Sequence, residues 1–213
     1  QHLEQNGFRD PQAALRLLQI PLMGTDAGME EASGIASIAR GAASPAMRQS
    51  FVRIAPALMT YASRSPSPDD ALLGIETLAL AVPNRAQLYT AFADSPEVLR
   101  RLVELAGASP PTMRLLSNHQ ELLDTLFSEE IIEHEPKGRE QMLDDLRQRL
   151  GLSNELEPGV PRGYPERQAQ AIASFIRRER LRIIARDVWG EARGVDTARD
   201  LTNLTEAVLE CVL

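Results

Sequence analysis

Apolar residues recur at three- and four-residue intervals over most of the chain, the period of a helix that turns one face to a core. Val98, Leu99, Leu102 and Leu105 form one such stripe; Ile172, Phe175, Ile176 and Ile183 form another, with Glu179 in its middle; Leu201, Leu204, Ala207, Val208 and Val212 form a third. No segment alternates convincingly with the period of a strand, since Val160 and Ile131-Ile132 are too short or too flanked by charge and proline. The expected fold class is all-α: an antiparallel multi-helix array followed by a long Arg-rich helix and a C-terminal helix.

Helix starts are marked by a capping residue followed by proline, at Asp10-Pro11, Ser44-Pro45, Ser67-Pro68, Ser95-Pro96 and Ser109-Pro110. The first opens Pro11 to Ile20. The second opens Pro45 to about Arg64, with Pro56 expected to kink it. Further helices are expected from Arg85 to Phe92, from Ser95 to near Gly107, from Ser109 to Leu116 and from His119 to Phe127. Together these make residues 1–127 a helical array with short connections. Residues 128–163 read as a connector, with the acidic run Glu129–Glu135, an amphipathic helix from Lys137 to Leu150 and a Pro- and Gly-rich loop from Ser153 to Gly163. Residues 164–213 carry the long helix, opened by Tyr164-Pro165 and closed at Gly190, and a last helix capped by Asp196-Thr197.

Composition narrows this picture. The 213 residues are 43% apolar but only 4% aromatic, which suits helices packed through aliphatic side chains. A net charge of -7 argues against a nucleic-acid binder. Lys137 is the single lysine and nothing around it resembles a phosphate loop; Cys211 is the single cysteine, so neither an internal disulfide nor a cysteine-built zinc site is expected. No apolar run is long enough to span a bilayer and Gln1 to Gly7 is too polar for a secretory signal, so the expected location is cytoplasmic with no membrane contact.

Candidate chemistry is sparse. His119, Glu121 and Asp124, and separately Glu133, His134 and Glu135, are the clusters that could be assembled into metal or acid-base sites, but neither has ligand spacing. Asn118 or His119 reads more simply as part of a helix start. Arg177, Arg178, Arg180, Arg182 and Arg186 spread around the long helix, so a solvated or paired face outweighs a phosphate-binding one. Glu179, one turn from Arg182, reads as half of an ion pair at the core edge rather than as a catalytic acid. The acids of Ser67-Pro-Asp-Asp70 suit the positive end of a helix dipole. Trp189 reads as a core or hinge anchor. No catalytic, cofactor-binding or metal residue is assigned.

Several segments resemble the glutamate-ammonia-ligase adenylyltransferase family, the bifunctional enzymes that attach AMP to glutamine synthetase and remove it. They are Gly7-Phe-Arg-Asp-Pro11, Pro68-Asp-Asp-Ala-Leu72, Arg85 with Tyr89, Ser95-Pro-Glu-Val-Leu99, Ser109, and His119-Gln-Glu-Leu-Leu-Asp124, where Gln120 replaces the family's proline. The closest likeness is Arg177-Arg-Glu-Arg-Leu-Arg-Ile183 through Asp187 and Gly190, followed by the Leu201–Leu213 helix. The acidic run Glu129–Glu135 and the Gly- and Pro-rich loop before Tyr164 depart from the family pattern. The resemblance implies a central helical region ahead of the second nucleotidyltransferase domain. It also implies ATP and magnesium in the parent enzyme but none in this region. Implied partners are the flanking nucleotidyltransferase domains, glutamine synthetase and the PII signalling protein, with glutamine as a further signal. The family's Gly-Ser turn and Asp-x-Asp metal pair do not occur in the chain. Adjacent pairs such as Asp69-Asp70 and Asp144-Asp145 should diverge rather than converge on one ion. The expected function is therefore a non-catalytic regulatory linker. The rival expectations are a free-standing interaction module, with Leu105, Leu116 and Leu126 contributing to a partner groove, and a self-contained enzyme using His119, Asp124 and Glu133.

Overall fold

A computed structural model describes residues 7–18, 45–126, 136–151, 165–190 and 192–212. These form helices α1 (Pro11–Leu17), α2 (Pro45–Arg64), α3 (Pro68–Ala81), α4 (Arg85–Asp94), α5 (Pro96–Ala108), α6 (Pro110–Asn118), α7 (Leu122–Leu126), α8 (Arg139–Arg149), α9 (Pro165–Val188) and α10 (Gly194–Val212), with no strand among the described residues. The all-α expectation is met. Ser44, Phe127, the run Glu129–Glu135, the Ser153–Gly163 loop and Tyr164 lie outside the described residues. The chain divides into two compact units, Gln1–Gln120 and Glu121–Leu213.

In the first unit, prolines set the helix boundaries more than capping side chains do. Asp10 caps α1 as expected, accepting from the Gln12 and Ala13 amides. Ser67, Ser95 and Ser109 make no side-chain cap bond. Ser95 and Ser109 each end one helix and begin the next, donating their N–H to Ala91 and Leu105 and accepting the first amides of the following helix. A residue before proline is pushed out of the helical region, and the proline that follows is preset for the first turn. Ser-Pro therefore turns the chain sharply without a hydroxyl cap.

Helix α3 is the centre of this unit, packing against α1, α2, α4, α5 and α6. Its buried Leu72, Ile75, Leu78 and Ala79 meet a core that includes Phe51, Ile54 and Leu58 of α2 and Leu99, Leu102 and Leu105 of α5. Gly107 permits one close approach: a Cβ there would lie 2.6 Å from the Ser65 hydroxyl oxygen. Leu105 and Leu116 are fully buried here, and Leu126 is fully buried in the second unit. They are core residues and form no partner groove. The apolar stripes that suggested one had already been used for packing.

In the second unit α8, α9 and α10 pack on one another and α7 packs on α9. Met142, Leu143, Leu146, Phe175, Ile183, Leu204 and Ala207 form its core, with Ile172, Val208 and Cys211 at its edge. Two residues assigned to the inner face of α10 point outward, Leu201 at 38% exposure and Val212 at 62%. Asp200 takes the inner place at 3% exposure. The helix also starts earlier than the expected cap, at Gly194.

Candidate functional site

Two motifs far apart in sequence meet in the first unit. The Asp69 carboxylate, in the first turn of α3, accepts the Arg9 amide at 2.9 Å and the Asp10 amide at 3.4 Å. Gly7, with φ of 82°, brings the chain in beside Pro68. The result is an open cavity of about 540 Å³ bordered by Ala14, Leu17 and Leu73, with Arg9, Arg16 and Asp70 at its edge. Asp69 and Asp10 are already engaged with backbone amides, so they are structural acids. This is the dipole role expected of Ser67-Pro-Asp-Asp70, with an added long-range tether.

The second unit contains a buried charge chain. Arg182 Nε donates to Glu179 Oε2 at 2.8 Å across one turn of α9. Lys137 Nζ donates to the other Glu179 oxygen at 3.3 Å and to Asp145 of α8 at 2.7 Å. Arg182 Nη2 approaches Asp200 of α10 at 3.8 Å. Glu179, Arg182 and Asp200 are 2, 4 and 3% exposed. The expected Glu179–Arg182 pair is present, but it lies within the interior instead of at its edge. Burial raises the Asp200 pKa; Arg182, Arg186 and Arg199 oppose the rise and Asp196 adds to it. Burial likewise raises the Cys211 thiol.

The part played by Lys137 and Asp200 was not anticipated. For Asp200 a signal existed: it lies four residues before Leu204 and seven before Ala207, on the same helical face. An acid at a core position of an amphipathic helix calls for a buried cation.

The other candidates do not assemble. His119 is the C-cap of α6, donating its N–H to Leu115, so it ends a helix instead of starting one. Glu121 and Asp124 are exposed, and Glu133, His134 and Glu135 lie outside the described residues. Gln120, at the family's proline position, donates its amide to the Ala81 carbonyl at 2.6 Å and so closes the end of α3. Trp189 is half-buried beside Gly190, whose φ of 75° ends α9. Of the arginines, Arg180 is exposed, Arg177 and Arg178 are half-buried, and Arg182 and Arg186 are buried.

The ATP and magnesium implied for the parent do not fit the acids described here. Asp69 holds backbone amides, Asp145 holds Lys137, and Asp144 is largely exposed with Arg147 at 3.9 Å. Among the described residues no three His, Cys, Asp or Glu side chains are grouped to hold a metal ion. Nor is any helix there long and apolar enough to cross a membrane.

Fold and charge chain together define a helical unit braced by internal ion pairs. The family model for glutamate-ammonia ligase adenylyltransferase matches residues 99–213, and the chain belongs to that family. It is 27% identical over 211 residues to the bifunctional glutamine synthetase adenylyltransferase/adenylyl-removing enzyme of Thioalkalivibrio sulfidiphilus, covering 99% of this chain and 20% of the relative. The enzyme of the same description from Pseudomonas putida is 28% identical over 211 residues, covering 99% and 19%. That of Nitrosococcus oceani is 28% identical over 161 residues, covering 76% and 16%. The chain thus spans about a fifth of the length of these relatives.

Proposed function

We propose that this chain is the helical, non-catalytic regulatory and linking region of a bifunctional enzyme that adds AMP to glutamine synthetase and removes it. The observation that carries the reading is the Lys137–Glu179–Arg182–Asp200 chain. It joins the segment leading into α8 to both α9 and α10 by charges that become costly if separated. A region braced in this way suits a spacer that fixes the geometry of catalytic domains on either side. ATP and magnesium belong, on this reading, to those flanking nucleotidyltransferase domains. Glutamine and the PII protein act by biasing which of the two domains works, and the setting is the cytoplasm.

Two measurements test this. The chain alone, incubated with ATP, magnesium and glutamine synthetase, transfers no AMP; genuine turnover overturns the reading. In the longer enzyme, Arg182→Met alters how glutamine and PII protein shift the ratio of AMP addition to AMP removal while leaving the KM for ATP in place. An unchanged ratio rules out the linking role.

A further inference from the structure

Among the described residues of the second unit, five buried polar atoms have no hydrogen-bond partner: Arg182 Nη1 and Nη2, Arg186 Nε and Nη1, and Asp200 Oδ1. Arg186 is 6% exposed, and Arg182 and Asp200 are still more buried. The 3.8 Å between Arg182 Nη2 and Asp200 Oδ2 is too long for a hydrogen bond. Leaving such an atom unsatisfied is costly, and folded proteins rarely gather several in one place. A bound group outside the described side chains would satisfy them.

The chemistry of the five atoms indicates what. Four are donors on two guanidinium groups one turn apart on the same face of α9, and a guanidinium fork matches an oxyanion with two parallel bonds. The fifth belongs to a carboxylate whose burial favours its neutral form, despite the opposing Arg182, Arg186 and Arg199. An oxyanion accepts from the four guanidinium donors and meets their positive charge.

We propose that Arg182, Arg186 and Asp200 enclose a small oxyanion, a phosphate or a carboxylate group, between α9 and α10. This site goes beyond the linking role and does not depend on it. Because the donor atoms are out of reach of solvent, ligand exchange requires local opening of the helices and is slow.

The test is thermal unfolding of the purified chain in inorganic phosphate, in acetate and in sodium chloride at equal ionic strength. One of the two oxyanions raises the Tm saturably, by roughly 5 °C at a hundredfold excess over Kd, and the chloride arm does not. Which oxyanion acts separates the phosphate source from the carboxylate source. Arg186→Met removes the rise and, in oxyanion-free buffer, is at least as stable as the wild type because two buried donors without acceptors are gone. Asp200→Asn keeps the rise, since its amide donates. Calorimetric titration of the wild type with phosphate and with acetate reads the same binding without any variant. The proposal is overturned if neither oxyanion raises the Tm, or if Arg186→Met responds as the wild type does. It is also overturned if Arg186→Met is less stable than the wild type in oxyanion-free buffer, which would mean that enclosed water already satisfies these groups.

Discussion

The backbone N–H of Arg9 donates to the Asp69 carboxylate across 2.9 Å although 60 positions separate the two residues. That bond fastens the entry of α1 to the first turn of α3. Asp69→Ala should loosen α1 without unfolding the rest of its unit. The expected cost is about 1 kcal/mol, since the bond is charge-assisted but exposed. Hydrogen exchange reads the effect as lost protection in residues 11–17, with the amides of α5 unchanged. Uniform loss across the unit would contradict the tether.

Glu179 and Arg182 form the inner step of the charge chain. Glu179→Ala leaves Arg182 buried without its hydrogen-bonded counter-ion and should cost about 3–5 kcal/mol in urea unfolding. Replacing both, as Glu179→Leu with Arg182→Met, removes the stranded charge and should cost clearly less than the sum of the two single changes. Additive costs would show that the pair is not energetically coupled.

Two carboxyl groups should pull stability in opposite directions as pH changes. Hydrogen bonds from Arg100 and Arg101 lower the Glu97 pKa from 4.5 to about 2. A lowered folded-state pKa gives stability that is present above about 4.5 and lost as pH falls toward 2. Glu97 is more than half exposed, so added salt should weaken its effect. Asp200 has a raised pKa, so its contribution is present below 3.8 and lost as pH rises through the raised value. Chemical denaturation from pH 2 to 7 should show a flatter acid limb for Glu97→Gln. Asp200→Asn should gain stability relative to the wild type toward neutral pH, and a loss there would show that the charged form of Asp200 is the stabilising one.

Much of the helical plan was legible because its signals are local. Proline restricts itself and its predecessor whatever surrounds them, so Pro45, Pro68, Pro96 and Pro110 mark helix starts that the fold keeps. The Glu179–Arg182 pair was legible for the same reason, being one turn of a single helix. Inner and outer faces were harder to read where polar residues share the inner face. On α10, Leu201 and Val212 have the right chemistry for a core and Asp200 the wrong one, yet Asp200 is inside. Its cations, Arg182 and Arg186, belong to another helix, and a periodicity in one segment carries no record of them.

The amino-acid sequence by itself determined the all-helical class, the proline-set boundaries, the i to i+3 ion pair and the family likeness, because each depends on neighbours within a few positions or on matched motifs. Only the tertiary structure decided that Asp69 ties down Arg9, that Lys137 reaches Glu179 and that two arginines and Asp200 are buried together. Those are meetings of residues 60, 42 and 14 or more positions apart. Such encounters are set by how whole helices pack, since burial makes an unpaired charge costly enough to select one partner from all those the chain could offer.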